Sequence, residues 1–148
     1  MSFTLLLESD AGTKLGGLTS SVSYNFNWSI LPNDFPYEMT FSFVSRDAGA
    51  LNADSQYEIK ISGLNAVSRA YAPTTKSVAG STTCIGLVRP SSVNNTHFLS
   101  STYQDNPPIY LLERPTGNTF SVEIISIDGV TTPAYNMKWA LILFFKKV

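Results

Sequence analysis

The chain has 148 residues, of which 43% are apolar and 14% charged, with a formal net charge of −1 and a single cysteine. That length suits one domain able to bury its own core without a staple. The near-neutral balance provides no field for nucleic acid or an anionic membrane surface, and a lone Cys84 rules out an internal disulfide. With so few charges, Ser, Thr and Asn must supply most of the polar surface, a mix that favours strands and turns over helices.

The opening MSFTLLLESD has no basic n-region and too short an apolar stretch for a secretory signal, and Ser2 stands where myristoylation needs glycine. The expectation is an untargeted, soluble chain in a reducing compartment. Residues 1–21 are read as an N-terminal strand, FTLLLE, followed by a flexible arm, SDAGTKLGGLTSS, leading into a single domain over 22–148.

Alternation then becomes clear. VSYNFNWS (22–29) places Val22, Tyr24, Phe26 and Trp28 on one face; after the turn-rich LPNDFP, YEMTFSFVS (37–45) turns Tyr37, Met39, Phe41 and Phe43 inward. QYEIKISG sets Tyr57, Ile59 and Ile61 against an outward Gln56, Glu58 and Lys60 and stops at Gly63. Residues 64–82 read as a long Ser/Thr/Ala/Pro loop lying on the body, with room for a short helix at 65–70.

Five more strands are expected: TCIGLVR (83–89), THFLSST (96–102), IYLLER (109–114), NTFSVEIISID (118–128) and MKWALILFFKK (137–147). The adjacent Ile124 and Ile125 break strict alternation, which calls for a bulge or for cover on both faces. Prolines around Ile109 to Arg114 keep that strand short and place it near a sheet edge. No helical period and no internal repeat appears, so the predicted fold is all-β, an eight-stranded antiparallel jelly-roll sandwich, with immunoglobulin-type Greek keys as the competitor.

Little in the chain points to chemistry. His97 is the only histidine and there is no G-x-S-x-G elbow, so no serine hydrolase is expected; one His and one Cys cannot build a zinc site. Glu38, Asp47, Glu58, Glu113 and Glu123 sit mostly where solvent-facing strand residues belong, and Asp47, Asp54 and Asp105 lie in loops without a calcium-binding frame. Neither a phosphate loop nor a dinucleotide fingerprint is present, and the sequons at Asn27 and Asn94 have the character of chance matches. No catalytic residue, cofactor or metal is therefore assigned.

The last strand is different. Trp139, Leu141, Leu143 and Phe145 form one apolar face and Ala140, Ile142 and Phe144 a second, while a two-layer fold covers only one face of each sheet. Lys138, Lys146 and Lys147 flank it as guards against aggregation. WALILFFKK is far shorter than the roughly 20 residues of a spanning helix, so no membrane span is expected. The second face is to be hidden by the chain's own loops, by the FTLLLE segment or by another subunit. The reading taken is subunit contact through Ala140, Ile142 and Phe144, joined by Phe3, Leu5 and Leu7 of an N-terminal strand able to pair with a neighbour's sheet.

YEMTFSFVS (37–45), RPTGNTFSVEI (114–124) and WALILFF (139–145) resemble the small single jelly-roll capsid proteins of large icosahedral double-stranded DNA viruses, the penton and minor capsid proteins above all. The resemblance implies a non-enzymatic virion component assembled in the host cytoplasm. It also implies a homo-oligomer, a pentamer before a trimer, meeting other capsid proteins through its side surfaces. The absence of a basic arm departs from capsid proteins that bind the genome. The alternative is a carbohydrate- or receptor-binding jelly-roll module, such as a trimeric head, with Tyr71, Tyr103 and Tyr135 as stacking residues.

Overall fold

In the computed structural model the strands lie in two antiparallel sheets, and the described residues are 2–32, 34–45, 57–64, 66–67, 83–90, 99–100, 109–126 and 138–148. In chain order the strands are β1 (Ser2–Glu8), β2 (Thr13–Lys14), β3 (Ser21–Asn25), β4 (Tyr37–Ser45), β5 (Tyr57–Ser62), β6 (Ala66–Val67), β7 (Thr83–Pro90), β8 (Leu99–Ser100), β9 (Ile109–Leu111), β10 (Thr119–Ser126) and β11 (Trp139–Lys147). One sheet runs β1-β11-β4-β9-β6 and the other β2-β3-β10-β5-β7-β8. The protein is all-β and sandwich-like.

Period two decides what is buried. Tyr37, Met39 and Phe43 of β4 and Trp139, Leu141, Leu143 and Phe145 of β11 turn toward one side of their sheet. From the other sheet they are met by Val22, Tyr24, Ile59, Ile61, Phe120, Val122 and Ile124, all in one core cluster. Each such side chain contributes about 1.5–3 kcal/mol on full burial. Trp28 links the layers, with its ring centroid 5.9 Å from Phe120 of β10 and 6.3 Å from Phe145 of β11.

Trp28 also marks the first departure from expectation. Alternation carries the strand through 29, but β3 ends at Asn25, and Trp28–Ile30 form a 3-10 turn. The Asn27 side chain accepts from the Ser29 N–H at 3.1 Å, a local bond that competes with the ladder and closes the turn. Trp28 is buried even so, because the turn returns its ring to the core.

Residues 2–21 are built into the body. β1 pairs with β11 from Ser2↔Lys146 to Glu8↔Ala140, and β2 pairs with β3. Trp139 Nε1 donates to the Thr19 carbonyl at 2.6 Å, the Trp139 N–H to Ser9 Oγ at 3.0 Å, and the Ile124 N–H to the Ser20 carbonyl at 2.8 Å. FTLLLE is thus a strand of the chain's own sheet. The small residues of SDAGTKLGGLTSS allow a close fit: a Cβ at Gly12 would lie 2.5 Å from the Ser23 carbonyl oxygen.

The 83–89 strand extends one residue further, to Pro90. Of the expected 96–102 strand only Leu99–Ser100 lies within the described residues, and β9 is three residues long, one place in from the edge held by β6. β10 pairs with β5 without a register break from Ser121 to Ser126, and the irregularity falls instead between β5 and β7 at Ile59/Lys60. Ile124 and Ile125 are both buried, so cover on both faces accounts for that doublet. Lys60, expected in solvent, is only 6% exposed and pairs with Glu58 at 3.4 Å.

Gly63 ends β5 at φ +92°, where an added Cβ would lie 2.7 Å from the Thr119 carbonyl oxygen. Gly63→Ala is expected to cost roughly 1–3 kcal/mol, read as a lower urea midpoint at unchanged slope.

Candidate interaction surface

The register of the five-stranded sheet lines up its outer face in rows. Glu8 stands opposite Ala140 and Ala140 opposite Val44; the next row is Leu6, Ile142 and Ser42, then Thr4, Phe144 and Thr40, then Ser2, Lys146 and Glu38. Strands about 4.8 Å apart with same-face residues about 7 Å apart bring Leu6, Ile142, Phe144, Ala140 and Val44 into one apolar patch of roughly 300 Å². Leu6 is 56% exposed, Phe144 42% and Val44 39%, while Ala140 and Ile142 are half-buried between their neighbours. The second apolar face of β11 is therefore open to solvent among the described residues.

The polar rim has its own partners. Lys138 Nζ lies 3.1 Å from Asp10 and Lys14 Nζ 3.6 Å from it; the hydrogen bond from Lys138 is the main cause holding the Asp10 carboxyl below the usual range. At the other end Lys147 Nζ sits 5.8 Å from the centre of the Tyr37 ring. Of the three flanking lysines, Lys146 stands on the patch side, between Ser2 and Glu38.

Below that end, the Tyr37 hydroxyl donates to Asp34 Oδ1 at 2.6 Å. This bond, followed by burial, pushes the Tyr37 pKa up to about 12, and the same bond lowers that of Asp34. A tyrosine whose proton is held more tightly in the fold contributes stability below the ordinary value of 10.0 and loses it as pH rises through about 12. The Asp34 contribution has the opposite sense: present above the ordinary carboxylate range, lost as pH falls through the lowered value. In Tyr37→Phe, urea midpoints across pH 10 to 12 should lose this site's alkaline decline, and Asp34 should titrate higher by NMR.

The sequence-assigned residues separate into three groups. Ala140, Ile142 and Phe144 are on the open face. Phe3, Leu5 and Leu7 are on the core side of β1: Leu7 is buried, Phe3 and Leu5 are half-buried against the core, and Phe3 stacks on Phe145 at 4.5 Å. They do not join the outer patch, which lies on the opposite face of the same strand. Its exposed apolar residue, Leu6, was missed because in the run Leu5-Leu6-Leu7 both faces look apolar; the stronger company of Phe3 takes the odd-numbered face to the core. Tyr71, Tyr103, Tyr135, His97, Asp47, Asp54 and Asp105 lie outside the described residues.

The carboxylates are dispersed. Glu38 is on the five-stranded sheet, Glu113 is exposed beyond β9, and Glu58 and Glu123 flank Lys60 on the six-stranded sheet, Glu123 directly across from it. Among the described residues no three His, Cys, Asp or Glu converge as a metal site, and no helix is long and apolar enough to cross a membrane. Asn27, first residue of one sequon, is exposed at the 3-10 turn rather than within a strand.

No protein-family model, no curated protein and no solved structure matches the chain.

Proposed function

We propose that this chain is a structural subunit, a jelly-roll building block that works through its surfaces in a homo-oligomer. Single jelly-roll penton and minor capsid proteins of large double-stranded DNA viruses represent the kind. On this reading the protein performs no catalysis, assembles in the host cytoplasm beside other capsid proteins, and forms part of the virion. A pentamer is the favoured state and a trimer the alternative.

The jelly-roll part of the reading rests on how the strands nest. A jelly roll is a long antiparallel ribbon rolled so that successive strand pairs alternate between two sheets. With the two-residue strands β2, β6 and β8 set aside, the first strand pairs with the last, β1 with β11, in the five-stranded sheet. The second pairs with the last but one, β3 with β10, in the six-stranded sheet. β4 with β9 then returns to the first sheet and β5 with β7 to the second.

A fold of this kind hosts many functions, so the function rests on the surface. The observation that carries it is the open row of Leu6, Ile142 and Phe144. The patch built on it with Ala140 and Val44, roughly 300 Å², lies within the range of a monomer's largest patch and below the about 800 Å² each partner contributes to a standard interface, so it would form the centre of a larger contact. Sedimentation equilibrium on the full chain tests this. The expected mass is a whole multiple of 16.2 kDa, five copies first, and a single 16.2 kDa species at high concentration would overturn the reading.

A further inference from the structure

The edge formed by β1 is unlike the other sheet edges. Among the described residues β2, β6 and β8, outermost elsewhere, have two residues each, whereas β1 has seven and contains neither proline nor lysine. Short strands, proline and lysine are the devices that keep a sheet edge from pairing, and β1 uses none of them.

The phase of its backbone groups follows from one bond. The Ser9 N–H donates to the Trp139 carbonyl at 2.9 Å, which makes Ser9 and Trp139 a hydrogen-bonded pair in the β1–β11 ladder. Antiparallel pairs alternate, so Leu7, Leu5 and Phe3 also bond toward β11, while Glu8, Leu6, Thr4 and Ser2 turn their N–H and C=O groups outward. Glu8 closes its end of the edge: its carbonyl accepts the Ala11 N–H at 3.0 Å and the Tyr24 hydroxyl at 2.8 Å. Ser2, Thr4 and Leu6 have no neighbouring strand on that side among the described residues.

We propose that the β1 edge pairs antiparallel with the β1 edge of a second copy of this chain, about a two-fold axis at Thr4. The pairing deepens, and rests on, the reading of the chain as an assembly subunit. It names one contact, through which dimers form or larger rings join in twos.

Three features select a second copy and this register. The strand is self-complementary: with Thr4 opposite Thr4, Ser2 faces Leu6, and about six backbone hydrogen bonds form without the occupied Glu8 carbonyl. Phe3 and Leu5 face inward yet stay half-buried because the edge is open; in this register Phe3 of each copy lies beside Leu5 of the other, an aromatic–aliphatic cross-strand pair that completes their cover. No charged residue occurs from Ser2 to Leu7, so the pairing brings no like charges together. On the outside, the Thr4–Phe144 row continues into the same row of the second copy, doubling the apolar strip.

The test uses the full-length protein. Hydrogen exchange at the Thr4 and Leu6 amides should be at least tenfold slower in concentrated than in dilute solution. Thr4→Pro removes an N–H that the chain itself does not use, and should abolish the Leu6 protection and halve the sedimenting mass. Thr4→Cys should form a 4-to-4 disulfide under mild oxidation, mapped by peptide mass, since facing Cα atoms about 5.5 Å apart are within bridging range. The cross-link keeps the idea open to refutation should the proline variant fold poorly.

Fast exchange at every concentration overturns the pairing. Slow exchange that ignores dilution also overturns it, because the chain's own residues would then cover the edge. If the paired substitutions Leu6→Thr and Phe144→Thr disperse the assembly while Thr4→Pro and Thr4→Cys have no effect, the edge pairing fails and the assembly reading survives. A protein monomeric throughout removes both.

Discussion

Replacing Phe145 by alanine is expected to cost about 3–5 kcal/mol of stability, while replacing its neighbour Phe144 by threonine changes stability by no more than about 0.5 kcal/mol. The two phenylalanines are adjacent in sequence and point to opposite sides of β11. Phe145 is enclosed by Phe3, stacked at 4.5 Å, and by Trp28 at 6.3 Å, so its removal leaves a cavity where the sheets meet. Phe144 looks out from the sheet between Thr4 and Thr40, and threonine, being β-branched, suits a strand as phenylalanine does. Urea denaturation of the two variants side by side reads the difference. Equal losses would mean that the outer face is as enclosed as the core.

The second large effect is on association. Leu6→Thr together with Phe144→Thr removes the two most exposed large apolar groups from the row, each expected to bury about 1 kcal/mol of apolar surface in a contact. For the proposed oligomer, the dissociation constant should rise roughly ten- to a hundredfold with the fold intact. Sedimentation over a concentration series measures it. An unchanged constant would move the contact away from this face.

These two residues also show how much of the molecule could be read from the chain. Period two gave the bounds of β4 and the inward residues of β4, β10 and β11, because each of those strands has a consistent face. Where both faces are apolar the same rule loses its power: TLLLE could be seen to be a strand, but Leu5, Leu6 and Leu7 left its core side undecided until β11 lay beside it. Trp28 kept the right burial in the wrong element, since a side-chain bond from Asn27 ended the strand without changing the apolar pattern. Lys60 escaped for another reason: alternation reports which side a residue faces, not whether that side is covered, and Lys60 is buried.

Strand pairing was the least legible feature. Alternation fixes faces within a strand but says nothing of which strand lies next to which, so the nesting of β1 with β11 and of β3 with β10 emerges only in three dimensions. The candidate surface divided along the same line. Ala140, Ile142 and Phe144 were visible because β11 has an apolar surplus of its own, whereas Leu6 and Val44 belong to the patch only through register.

On the proposed function, the outer face of β1, β11 and β4 is covered by another molecule in solution. Hydroxyl-radical footprinting of Phe144, normalised to the exposed Ile30 outside that sheet, tests it directly. Oxidation of Phe144 should fall severalfold between dilute and concentrated protein while Ile30 holds steady; a ratio that stays constant over the whole range would mean that this face remains bare.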